Sequence, residues 1–118
     1  MIIVGHSGCG GVAASLEAVQ LGRNPAETLP QYPATHPLNR WLAPLTEFVA
    51  TLDLPSKNIL PTVIDANVRR QVENLSEVTK AWEGEHSKEV WIHGWVYELA
   101  EGKLRDLEIS RPAVAADW

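Results

Sequence analysis

Met1-Ile2-Ile3-Val4 is an apolar, β-branched run that passes with no polar residue into Gly5-His6-Ser7-Gly8-Cys9-Gly10-Gly11. A continuous apolar run of this kind reads as a strand of an α/β protein buried on both faces. Four glycines in the next seven residues permit a tight turn and close backbone approach. Val12, Ala13, Leu16 and Val19 then recur at helical spacing, and Gly22 stands where a helix stop is expected. Strand, glycine turn and helix follow in order, and ligand sites of open α/β sheets lie at the carboxyl ends of such strands.

Residues 23–37 contain Pro25, Pro30, Pro33 and Pro37, which predicts a loop. Leu38, Trp41, Leu42, Leu45, Phe48 and Leu52 fall at i, i+3, i+4 spacing, so a helix follows, with Pro44 either kinking it or starting a new one. A second amphipathic stretch runs from about Pro61 to Val78, with Ile64, Val68, Val72 and Leu75 on one stripe. Glu83-Gly84-Glu85-His86-Ser87-Lys88 is polar and breaks that pattern. Val90, Ile92 and Val96 alternate with Trp91, His93, Trp95 and Tyr97, the period of a strand. Glu101-Gly102 signals a turn, and Leu104, Leu107 and Ile109 continue as a shorter strand, which makes the end of the chain a hairpin. The predicted fold is α/β, a short, mostly parallel sheet flanked by helices and closed by an antiparallel C-terminal strand. Residues 1–111 form the domain, and 112–118 a loosely held tail.

The chain has 118 residues, enough for one core. Ten Lys plus Arg against fifteen Asp plus Glu leave a formal charge of −5, so no basic stripe points to nucleic acid or an anionic membrane. No apolar run approaches the roughly 20 residues of a membrane span, and no basic segment precedes a cleavable leader. A single cysteine, Cys9, excludes an internal disulfide and fits a reducing compartment. The chain therefore reads as cytoplasmic, with an organelle allowed if a targeting segment lies upstream.

His6 and Cys9 form His-x-x-Cys within the glycine turn. An imidazole and a soft thiolate suit Zn²⁺, and a two-residue gap lets both converge on one ion. A helix N-terminus also favours thiolate. The bland alternative is a buried thiol beside a turn histidine that caps backbone groups. Elsewhere, His93 between Trp91 and Trp95 reads as packed or hydrogen-bonded, and His36 and His86 as solvated loop histidines able to carry protons near neutrality. Trp41, Trp91, Trp95 and Tyr97 read as filling a core or a subunit interface. Asp65 and Asn67 read as capping or terminating a helix. Ser7 has no base nearby in sequence and makes a poor nucleophile.

Ile2-Ile3-Val4-Gly5-His6-Ser7-Gly8-Cys9-Gly10-Gly11-Val12 closely resembles the second metal motif of the β-class carbonic anhydrases. Three further segments match that family in the same order. Leu38-Asn39-Arg40-Trp41-Leu42 resembles its helix after the metal turn, and Asn67 to Leu75 its next helix. Val90 to Leu99, with Gly102 and Leu104 to Leu107, is similar to its closing strand pair. The resemblance implies a zinc enzyme that reversibly hydrates carbon dioxide to bicarbonate and a proton, with His6 and Cys9 as two of the metal ligands. There, zinc lowers the pKa of a bound water toward neutrality and the resulting hydroxide attacks the substrate carbon.

The family's first motif, Cys-x-Asp-x-Arg on an earlier strand, supplies a second thiolate and an Asp/Arg pair, and no such sequence occurs here. The resemblance thus implies an N-terminally truncated member, the C-terminal two-thirds of the domain. Its catalytic Asp/Arg pair is missing, and its site is completed by a homo-oligomer or by a complementing N-terminal chain. The Ile2 to Val4 strand should then show an open edge. Two other readings stand beside this one. One is a non-catalytic interaction or scaffold protein of the same fold, and the other is a generic α/β metal or redox protein using His6 and Cys9 alone.

Overall fold

In the computed structural model, residues 1–79 and 90–112 are described. His86 and the other residues of the polar segment around it lie outside them, as does the tail from residue 113 on. The strands are β1 (Ile2–His6), β2 (Trp91–Glu98) and β3 (Lys103–Pro112), and the helices are α1 (Gly10–Gln20), α2 (Pro37–Ala50) and α3 (Ile59–Thr79). A 3₁₀ turn covers Pro25–Glu27. The chain divides into a sheet unit, Met1–Ser7 with Asp65–Trp118, and a helical unit, Gly8–Ile64.

In the sheet unit the strand order is β1-β2-β3. β1 runs parallel to β2, with Ile2 opposite His93 and His6 opposite Tyr97, while β2 and β3 form the expected antiparallel hairpin. The sheet is therefore mixed. One face carries Ile92, Gly94 and Val96, all buried, with Val68 and Val72 of α3 against Gly94. A Cβ on Gly94 would stand 3.0 Å from Ile109 Cδ1 and 3.1 Å from each of the two valines, so any larger residue would force these side chains to give way. Opposite Gly94 the register of β3 slips. There Glu108 takes φ 56° and its amide donates to Asp106 Oδ1 at 2.8 Å. The bulge brings Ile109 onto Gly94, and β3 is longer than the hydrophobic pattern indicated.

The other face is open. Ile2 (46% exposed) and Val4 (52%) share it with the exposed Trp91, Tyr97 and Leu104. This corrects two expectations. β1 is not buried on both faces, because it lies at the sheet edge with only β2 beside it among the described strands, and alternate side chains face away. Of the core and the subunit interface expected for Trp91 and Tyr97, the core is ruled out, because β2 turns its even-numbered residues to α3 and its odd-numbered ones away. Among the described residues, β1 pairs with β2 alone.

In the helical unit, α1 ends as its glycine predicted. Gly22 takes φ +67°, the amide of Gly22 donates to Val19 O, and that of Arg23 donates to Ala18 O, closing the last turn. α2 is one helix despite Pro44, which lies exposed within it. Its sequence turns Leu42 and Val49 inward, while Trp41 is 74% exposed, so this tryptophan too lies outside the core. The loop before α2 is organised by Asn39, fully buried. Its amide nitrogen donates to the carbonyls of Leu29, Tyr32 and Pro33, and its oxygen accepts from the Leu29 amide. Behind it, Thr46 Oγ1 lies 3.0 Å from Ser15 Oγ and 2.7 Å from Thr28 Oγ1, and Thr28 donates to the Pro25 carbonyl. Among the described residues, no buried side-chain polar atom lacks a partner.

Candidate metal centre

His6 closes β1, at its carboxyl end, and its side chain is exposed. Its Nδ1 lies 3.0 Å from the Ser7 carbonyl oxygen. A carbonyl only accepts, so Nδ1 carries a hydrogen in this contact. The Ser7 amide donates to Tyr97 O at 2.9 Å, and Ser7 Oγ accepts from the Leu99 amide at 2.8 Å. Both groups of Ser7 are thus taken by the end of β2. This use of Ser7 was not visible in the sequence because Leu99 is 92 residues away.

Gly8 follows in the left-handed region at φ +66°, which a side chain would strain. Cys9 is then the N-cap of α1, half-buried, with no side-chain hydrogen bond to the helix end. Its carbonyl accepts from the Ala13 amide at 2.9 Å, so the helix begins directly behind the thiol. The sequence predicted this strand–turn–helix placement of both residues. An imidazole and a thiol are the donor types zinc takes. Among the described residues, no group of three or more His, Cys, Asp or Glu side chains could hold a metal ion.

The other histidines do local work. His36 is the N-cap of α2, where its Nδ1 accepts from the Leu38 amide at 3.2 Å and its ring stacks on Tyr32 at 4.1 Å. It is therefore a cap rather than a free loop histidine. His93 Nδ1 lies 2.7 Å from Ser110 Oγ, the hydrogen-bonded role expected of it. Asp65 and Asn67 do not cap or end a helix, because α3 runs through both. Asp65 instead takes a two-pronged hydrogen bond from Arg105 at 2.8 and 3.0 Å, and Asn67 Oδ1 accepts from Gln71. Arg105 also reaches Glu98 at 3.1 Å. Its hydrogen bonds to Asp65 raise its pKa most, against a smaller lowering by burial, so it is charged at any working pH.

The fold matches that of known proteins. The fold is shared with a solved structure of a tetrameric β-carbonic anhydrase from the filamentous ascomycete Sordaria macrospora, at a TM-score of 0.59 and 19% identity. That match covers 93% of this chain and 52% of the other. The family profile described as carbonic anhydrase matches residues 1–104. The chain belongs to the carbonic anhydrase family. A carbonic anhydrase of Emericella nidulans is 28% identical over 127 residues, a match covering 99% of this chain. The chain spans about half the length of that curated relative, 48%. No helix among the described residues is long and apolar enough to cross a membrane.

Proposed function

We propose that the chain supplies two zinc ligands, His6 and Cys9, to a carbonic anhydrase centre that hydrates carbon dioxide to bicarbonate. The observation carrying this reading is the family match over residues 1–104 with His-x-x-Cys at the end of β1 and the start of α1. Zinc, when bound, supplies Lewis-acid activation of water at neutral pH. His6 would offer Nε2, held outward by the contact of Nδ1 with Ser7 O. Cys9 would offer its thiolate beside the first turn of α1. A third donor and the Asp/Arg pair come from outside this sequence. A chain carrying the family's Cys-x-Asp-x-Arg segment is the partner we propose for completing the site, and a second copy of this chain is a partner in assembly only. The tetrameric state of the Sordaria protein and the edge of β1 left unpaired among the described residues support assembly. The lone thiol supports a reducing, cytoplasmic setting.

The experiment is a carbon dioxide hydration assay on the purified chain, alone and mixed with a family segment containing Cys-x-Asp-x-Arg. Zinc-dependent activity in the mixture, abolished by Cys9→Ser, supports the proposal. The free β1 edge and the incomplete donor set favour one other reading, a non-catalytic interaction protein of the same fold. Full activity of the isolated chain would refute that second reading, and inactivity in every mixture would leave it standing in place of the first.

A further inference from the structure

We propose that Ser7 is a positioning residue that sets the tautomer and aim of the His6 ring. The inference rests on the zinc reading for its purpose, and the geometry belongs wholly to the sheet unit. The Ser7 amide donates to Tyr97 O, and the Ser7 hydroxyl accepts the Leu99 amide, so two bonds tie Ser7, through its backbone and its side chain, to the end of β2. Its carbonyl, thus oriented, receives Nδ1–H of His6 at 3.0 Å. An imidazole tautomer is decided by the hydrogen bond its other nitrogen makes. Holding the proton on Nδ1 keeps Nε2 available as a donor toward a metal.

A purely structural role is a weak explanation for the hydroxyl. The Leu99 amide bond is exposed, and water can take the place of Ser7 Oγ there, so its loss costs little stability. What water cannot reproduce is the fixed direction of the Ser7 carbonyl. Removing the hydroxyl should therefore alter the His6 ring far more than the fold.

The test is ¹⁵N NMR of the histidine rings in the full, metal-free chain at about pH 9, where an ordinary imidazole is neutral. Wild type should show His6 with the proton on Nδ1, Ser7→Ala should move it substantially toward Nε2–H, and Ser7→Thr should restore it. Ser7→Thr and Ser7→Val differ by a hydroxyl for a methyl, so that pair isolates the acceptor even where Ser7→Ala disturbs folding. Ser110→Ala removes a comparable partner from His93 and should leave the His6 signals unchanged. Identical His6 signals in wild type and both hydroxyl-free variants, or an equal shift in Ser110→Ala, would overturn the proposal. With Zn²⁺ alone as titrant, the hydroxyl-free variants should bind about tenfold more weakly than wild type and Ser7→Thr. A wild-type chain that takes up no zinc either alone or with a segment bearing Cys-x-Asp-x-Arg sinks the metal reading, and the ring measurement still decides the Ser7–His6 coupling.

Discussion

The sheet unit and the helical unit are held together by different means. In the sheet unit, buried apolar groups meet across one face, with Ile92 and Val72 at the centre and Ile3, Leu75 and Val90 packed around them. Its polar contacts, Arg105 with Asp65 and Glu98 and Arg111 with Glu73, are partly exposed. In the helical unit, buried polar groups do a comparable job. Asn39 ties down a proline-rich loop through four hydrogen bonds, and Ser15, Thr46 and Thr28 form a buried chain of hydroxyls. A packed apolar face tolerates swaps of similar volume, whereas a satisfied buried network fails when one member is removed. The helical unit should therefore be sensitive to single-atom chemistry, and the sheet unit to volume.

Asn39 offers the largest effect. Asn39→Ala leaves the Leu29 amide and three carbonyls without their partner and should destabilise by about 3 kcal/mol in denaturant unfolding. Asn39→Asp, which loses the donors but keeps the shape, should be no better. If Asn39→Leu were neutral, the network would not be what holds the loop. Next comes Gly94→Ala, whose Cβ meets Ile109, Val68 and Val72 at 3.0 to 3.1 Å. Overpacking there should cost about 2 kcal/mol, recovered in part by Val68→Ala in the same chain. Thr46→Val keeps volume but removes the central hydroxyl, for about 1 to 2 kcal/mol. A value near zero would erase the contrast between the units. Arg105→Gln should cost about 0.5 to 1 kcal/mol and respond to salt, since its side chain is 42% exposed. Arg111→Gln, whose pair with Glu73 is more exposed still, should fall below about 0.5 kcal/mol.

Local signals in the sequence carried well. The glycine turn placed His6 and Cys9, Gly22 marked the end of α1, and alternation located β2. These depend on neighbours within a few residues. What the sequence hid depends on distant partners. Nothing near Asp65 announces Arg105, which is 40 residues away, and nothing near Asn39 shows that its amide will face the carbonyls of a loop. The exposure of Ile2 and Val4 was hidden for the same reason. An apolar β-branched run has the same composition at the edge of a sheet as in its centre, and only the count of neighbouring strands separates the two cases. The bulge in β3 had no signal because Glu108 is not a residue that favours positive φ.

The central claim, that His6 and Cys9 are zinc ligands completed from outside this sequence, is tested most directly by metal content. The full chain, His6→Ala and Cys9→Ser would each be mixed with a family segment bearing Cys-x-Asp-x-Arg, freed of loose metal and analysed for zinc. The account predicts about one zinc per wild-type chain in the mixture, weaker uptake by the chain alone, and loss of the metal in both variants. Equal zinc in wild type and the two variants, or no zinc in any wild-type sample, would contradict it.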